Sequence, residues 1–563
     1  MILLLKSLKF FLFIGLFSMH ITLLEEYMEK SQEFRGVWVS PWGGDQDLVT
    51  FNSKEGFIQN MKYILDTVKY YNMNTIIYHV RTHNDALYES KLNPVSPYFS
   101  KVDFKEFNPL KWMINESHKR GIEFHAWMNP YRIKTGNKAS KEEIISKYQE
   151  YANPANDSRC ILNGTDSIIL DPGREKVRNF IVETINEFLE QFNVDAIHFD
   201  DYFYINMGAG GAVTGEFTIL DEPDQITYEE YIDNHPETKY KKDSAEDKAD
   251  WRREQINLLI SLIKKNINLY NKNNNKKVQF GISPTGIYKS GDGNVTYDKN
   301  GNAITTGSDT KGSQEHYSSY LFCDSLKWIN EGWIDYILPQ SYWAIDHPIA
   351  GYIKVMSWWD KVIKYKRVNL FSGIGLYMAD SDYNTYGWKT NENELYEHLV
   401  YSGKSENIDG VSIYNFNTLR KYKDGQSTFS SKQVENGIKA WINLVPPTEI
   451  KSFEKIVLER PKNFKIENKT LSFNKVDGAK FYVIYRNIDE IRFNSEEIIE
   501  IFGDENEKVI WNEKEEGNYT YGIRALSYTN TLGKGVTEKS LNSSKYLSFG
   551  ITLLLSILVI LLF

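Results

Sequence analysis

The sequence predicts an α/β fold: a (β/α)8 TIM barrel followed by a small all-β sandwich and a C-terminal transmembrane helix. Three observations lead there. Eight short apolar runs alternate with amphipathic segments between residues 34 and 443. Beyond Pro446 and Pro447 the helical periodicity stops and strand-like alternation with turn signals takes over. The stretch 546–563 is apolar and uncharged, just long enough to cross a hydrocarbon core as a helix.

In chain order, residues 1–26 come first. Lys6 and Lys9 precede the apolar run FFLFIGLFSM (10–19), which reads as a signal peptide or, lacking a small-residue cleavage pattern, a signal anchor. The barrel is expected over 32–445. Its strand candidates are FRGVWVS (34–40), NTIIYHV (74–80), IEFHAWM (122–128), VDAIHFD (194–200), VQFGIS (278–283), IDYILPQ (334–340), NLFSGIGLY (369–377) and IDGVSIYNF (408–416). Each is rich in β-branched and aromatic residues and too short for an independent helix. Segments such as 55–71 and 174–192 space apolar residues three and four apart, as amphipathic helices do. The largest insertions, about 203–248 and 287–316, follow the fourth and fifth strands, where a barrel builds its functional loops. An open doubly wound sheet is the structural alternative; eight consecutive units favour closure.

Residues 446–540 read as the sandwich, with strands at LSFNKV (471–476), AKFYVIYR (479–486), VIW (509–511) and YTYGIRALSY (519–528). Their order resembles a fibronectin type III module. The segment 546–563 is expected to be a membrane anchor. Lys539 and Lys545 before it oppose an outward-facing body under the positive-inside rule, but the N-terminal signal outweighs them and puts the body at the extracellular face of the cell membrane.

Composition narrows the function. With 75 acidic and 66 basic residues the chain carries a net charge of −9, which excludes a basic nucleic-acid footprint as the main theme. Aromatics make 14% of the chain, enough to fill cores and also to line a sugar site. Cys160 and Cys323 are the two cysteines, so there is no disulfide framework, and one long-range pairing stays open. No metal or cofactor is expected. His79 and His83 straddle a strand end, where a four-residue spacing does not share a face. DKNGN (298–302) lacks a closing Glu for calcium, and GAGGAV (208–213) follows no strand suited to a phosphate loop.

Functional side chains are expected at strand C-termini. Those ends combine aromatics with hydrogen-bonding groups, as a sugar subsite requires: Arg81, Asn84 and Asp85; His125, Trp127, Asn129 and Arg132; Asp200, Asp201 and Tyr202; Gln340, Tyr342 and Trp343; Tyr414. The adjacent pair Asp200–Asp201 is the strongest feature. Strand alternation puts His198 and Asp200 on one face and Asp201 on the other. A carboxylate in the mouth can act as nucleophile or stabilise an oxocarbenium-like transition state, and Asp85 is the first candidate for the acid that protonates the leaving oxygen. Each also has a structural alternative, as a helix cap, an arginine partner or an anchor for loop amides.

These blocks, in order, resemble a known family. EFRGVWVS (33–40), VRTHNDALYES (80–90), RGIEFHAWMNPYR (120–132), LDPGREKVRNFI (170–181), VDAIHFDDYFY (194–204), FGISPTGIY (280–288) and GWIDYILPQSYW (332–343) look like the glycosyl-hydrolase-like family 10 of exported bacterial barrel proteins. The resemblance implies a cell-envelope glycosidase with peptidoglycan glycan strands as the leading substrate. It implies cleft positions at Asp200, Asp201, Arg81, Asp85, His125, Asn129, Gln340 and Tyr342. Thr82 and His83 stand where a proline-containing turn is expected, and Ala196 replaces a glycine. The expected function is therefore hydrolysis of glycosidic bonds in a polysaccharide by paired carboxylates. The alternatives are a non-catalytic glycan-binding or adhesion protein and a metal-dependent hydrolase. Protein partners stay unassigned.

Overall fold

The structure is a computed structural model. It describes residues 26–540, except 137–138, 165–166, 206–221, 312–314, 319–320 and 468. The expected signal segment up to residue 25, the glycine-rich stretch 208–213 and the expected membrane helix 546–563 lie outside the described residues.

In chain order the strands of the first domain are β1 (Phe34–Val39), β2 (Thr75–Arg81), β3 (Glu123–Met128), β4 (Arg132–Thr135), β5 (Ile161–Asn163), β6 (Ser167–Leu170), β7 (Ala196–Phe199), β8 (Gln279–Ile282), β9 (Thr296–Tyr297), β10 (Ala303–Ile304), β11 (Tyr336–Ile337), β12 (Asn369–Gly375) and β13 (Ile408–Tyr414). Eight of them, β1, β2, β3, β7, β8, β11, β12 and β13, close a barrel in that circular order. Every neighbouring pair is parallel, and each matches one of the eight apolar runs. Closure rather than an open sheet follows from β1 pairing with both β2 and β13.

Helices cover the barrel because their apolar residues recur on one face. Glu175–Gln191 buries Val177, Phe180, Ile181, Thr184, Ile185, Phe188 and Leu189, three and four apart. Lys54–Tyr70 starts where the Ser53 side chain accepts from the Gly56 amide. Inside the barrel Phe34, Trp38, Ile77, Trp127, Tyr336, Leu338 and Phe371 form a separate core. Gly281 makes room for it: a Cβ there would fall 1.9 Å from the Tyr336 ring, so only glycine lets that phenol cross the interior.

Three features were not legible in the pattern. A three-stranded antiparallel sheet, ordered β4–β6–β5, is inserted after β3 with the helix Lys141–Tyr148. The DKNGN segment is a hairpin turn between β9 and β10, with Asp298 accepting from the amides of Asn300 and Asn302. After β7, Glu222 and Asp224 are pinned to the 30-residue helix Ala245–Asn274 by the buried cations Lys248 and Arg252, all at 2.7–3.1 Å. Both cysteines are free and buried, so they form no disulfide.

The C-terminal residues form a three-stranded and a four-stranded antiparallel sheet. Leu471, Phe473 and Val509 of the first pack on Tyr482, Ile484, Tyr521 and Ile523 of the second, which is the expected sandwich core. The four-stranded sheet docks beneath the barrel, at the strand N-termini. There the ammonium of Lys480, 4% exposed, binds Glu123 and lies 3.2 Å from Asp195. Asn530 donates to the same Glu123 at 2.9 Å.

Candidate active site

The opposite end of the barrel, at the strand C-termini, holds the Asp200–Asp201 pair. β7 ends at Phe199, so the alternation expected for residue 201 no longer applies, and the two carboxyls lie close enough to share the Arg132 guanidinium as a neighbour. Asp200 is 3% exposed, accepts from the Tyr202 amide at 3.2 Å and faces the Trp127 indole. Burial and the neighbouring Asp201 carboxylate push the Asp200 carboxyl up to about 8, against the pull of Arg132. Burial pushes Asp201 up to about 6, opposed by the Arg132 guanidinium and the Gln340 side chain. Arg132 is held by packing on Tyr202, 3.3 Å from its ring centroid. Two linked carboxyls with separated affinities for protons are what acid–base chemistry requires.

Aromatic walls surround the pair. Tyr342 and Tyr414 stack at 5.8 Å and 18°, and Tyr377 stands edge-on to both, at 5.8 and 5.7 Å. The Tyr377 and Tyr342 hydroxyls both feel the Asp201 charge. Trp127 stacks on His79 at 3.8 Å, and its indole N–H has no hydrogen-bond partner among the described residues. Tyr202 is 46% exposed at the rim. Gln340 is anchored by donating to the Ser283 carbonyl at 3.0 Å, and Trp343 lies over Gly286.

Four other sequence-expected residues lie beneath or beside the mouth rather than in it. His125 sits in the barrel interior, two residues above the foot of β3, with its Nδ1 3.0 Å from the Tyr336 hydroxyl. Arg81 brackets two loops from inside, donating to the carbonyls of Asn129 and Pro130 and to Asn84. Asn129 is fully buried and donates to the Thr82 carbonyl at 3.1 Å. Asp85 accepts from the amides of Thr82 and His83 at 3.1 and 2.9 Å, so its carboxylate closes its own loop. Strand ends locate a side chain along the barrel; they do not say whether it points outward, inward or into a neighbouring loop.

Beneath the pair runs a directed chain of buried groups. An indole N–H can only donate, so Trp38 Nε1 gives to His198 Nε2 at 3.4 Å. The His198 proton then sits on Nδ1 and goes to the Tyr336 oxygen at 2.9 Å. The phenol donates in turn to His125 Nδ1, whose Nε2 lies 3.5 Å from Glu123. Burial drives the His198 imidazole well below its usual range and keeps it neutral.

Some features of the site were not legible in the sequence. Arg132 is among the polar groups expected where the third strand ends, but the strand β4 that it opens is not revealed by periodicity. Tyr377 follows β12 in a 3-10 turn and is visible only as the last letter of an apolar run. Asp45 is fully buried after β1, accepts from the Ser40 amide at 3.2 Å, and is pushed up to about 8 by burial.

Sequence comparison places these features among known proteins. The family described as Glycosyl hydrolase-like 10 matches residues 33–388. The glycosyl hydrolase YngK of Bacillus subtilis is 30% identical over 491 residues, spanning 84% of this chain and 86% of the relative. The glycosyl hydrolase DigH of Escherichia coli K12 is 29% identical over 415 residues, spanning 71% of this chain and 86% of the relative.

Proposed function

The chain belongs to the glycosyl hydrolase-like family 10, and on that premise we propose that it hydrolyses glycosidic bonds of a cell-envelope polysaccharide with the Asp200–Asp201 pair. The observation that carries the reading is a pair of adjacent buried carboxyls at the strand C-termini, both pushed up by burial, beside one Arg132 guanidinium and the stacked Tyr342 and Tyr414 rings. At neutral pH Asp200 keeps its proton and donates it to the departing glycosidic oxygen. Asp201 is ionised and serves the anomeric centre, as base or nucleophile, while positive charge develops on the sugar ring. Arg132 and Gln340 keep Asp201 charged. Tyr342, Tyr377 and Tyr414 offer the C–H faces of a sugar their aromatic surfaces, while Trp127, 6% exposed, backs Asp200 from the barrel interior.

The substrate we assign is the glycan strand of peptidoglycan. Its support is the apolar character of residues 10–19 and 546–563, which would hold the body at the outer face of the cell membrane, beside that polymer. The test is release of new reducing ends from purified peptidoglycan glycans and from chitin-like oligosaccharides. Wild type should release them, and Asp200→Asn and Asp201→Asn should each lose about 10²-fold or more. Binding of the glycan by wild type without release would instead make the barrel a glycan-binding scaffold.

A further inference from the structure

A second groove, of about 720 Å³, opens beside the mouth between the loops that follow β1, β2 and β3. Its wall is assembled from all three. Trp42, 50% exposed, meets the His83 ring at 4.9 Å, and His83 Nε2 lies 3.1 Å from the Thr135 hydroxyl. Tyr148 closes the floor, its hydroxyl donating to the His83 carbonyl at 3.4 Å. Burial lowers the His83 imidazole to about 4, so this wall is neutral. The same imidazole feels both Arg132, on the catalytic side, and Lys147, on the groove side. The groove adjoins the mouth along β4, where Arg132 is followed by the groove-lining Ile133, Lys134 and Thr135.

Its formal charges balance, but the two lysines and the two carboxylates are not paired with each other. Four formally charged side chains line it: Lys134, Lys147, Asp85 and Glu143. Both carboxylates are already engaged by amides, Asp85 by those of Thr82 and His83 and Glu143 by that of Ser140 at 2.9 Å. Lys134 and Lys147 have no carboxylate partner among the described residues; Lys147 lies only over the Tyr148 ring, at 5.3 Å. An exposed indole next to two uncommitted ammonium groups suits a ligand with an apolar ring face and a negative substituent.

We propose that this groove is a distal subsite for a carboxylate-bearing sugar of the same glycan, with Trp42 stacking on its ring and Lys134 and Lys147 receiving its carboxylate. The assignment deepens the glycosidase reading and rests on it for the identity of the ligand as a glycan. It makes the protein selective for acidic over neutral chains at a position away from the bond that is cut.

The experiment measures dissociation constants by calorimetry on the full chain carrying Asp200→Asn, so that the ligand stays intact. The probes are a tetrasaccharide of alternating N-acetylglucosamine and N-acetylmuramic acid and its carboxyl-reduced counterpart. The acidic form should bind about tenfold more tightly at low salt, and the preference should vanish at high salt. Adding Lys134→Met and Lys147→Met should abolish the preference and leave the affinity for the reduced form unchanged. Adding Trp42→Ala should weaken both probes. Both lysines are exposed, and melting curves check that the variants fold. Equal affinity for the two probes, or a preference that survives loss of both lysines, overturns the proposal. Failure of wild type to release reducing ends, with the lysine-dependent preference intact, would overturn the glycosidase reading and leave the subsite standing.

Discussion

Lys480 Nζ, carried by the C-terminal sandwich, lies 3.2 Å from Asp195 Oδ1 at the foot of the barrel. The same ammonium binds Glu123, and that carboxylate faces His125, the lowest histidine of the interior chain. The sandwich is thus not a free spacer: its charge completes a buried ion cluster on which the barrel's interior hydrogen bonds rest.

Removing that ammonium leaves buried Glu123 without a cation and Asp195 with only His118, 2.9 Å away. Lys480→Met should cost about 3–5 kcal/mol of stability, the range for breaking a buried pair on one side. Urea unfolding of the full chain checks it. A loss below about 1 kcal/mol would mean that water or a rearranged side chain replaces the ammonium.

Tyr336 joins His125 and His198 through one hydroxyl. Tyr336→Phe keeps the ring over Gly281 but leaves both Nδ1 atoms without their partner. The expected cost is about 1–3 kcal/mol. Nitrogen NMR should show the Nδ1 resonances of His198 and His125 shifting as they lose the phenol, while His198 stays Nδ1-protonated because Trp38 still donates to its Nε2; unchanged spectra would contradict the directed chain.

The raised carboxyl of Asp200 also predicts a stability trend. The folded state holds that proton up to about 8, whereas an unfolded Asp releases it near 3.9. Between those values the unfolded state binds fewer protons, so stability falls as pH rises through the window. Asp200→Asn removes the penalty. It should gain on the order of 5 kcal/mol at pH 8 and almost nothing at pH 4, by melting curves at both.

The same pair sets the pH dependence of turnover. The rate should be bell-shaped, rising as Asp201 ionises near 6 and falling as Asp200 loses its proton near 8. Because the groups interact, the two limbs report the pair. A profile flat from pH 5 to 9 would remove the pair from the chemistry.

The barrel was legible because all eight strands are concentrated apolar runs, even β11, where only Tyr336 and Ile337 form the strand. The sandwich was legible for the same reason. The β4–β6–β5 sheet was not: its strands have three or four residues each and carry polar neighbours such as Lys134 and Asn163. In the site, the Asp200–Asp201 pair and Tyr202, Gln340, Tyr342 and Tyr414 could be placed because they lie at strand ends. Arg81 and His125 occupy equally plausible positions in the sequence, but their side chains turn inward. Arg132 and Tyr377 depend on an inserted sheet and a 3-10 turn, and no periodicity announces either.

The central claim is that Asp200 and Asp201 flank the bond that is cut. Its most direct measurement is a crystal structure of Asp200→Asn with an intact oligosaccharide in the mouth. The scissile oxygen should lie within about 2.6–3.2 Å of the residue 200 side chain, with the anomeric carbon facing Asp201. A sugar chain that occupies the mouth with its glycosidic oxygens beyond reach of both residues would contradict it.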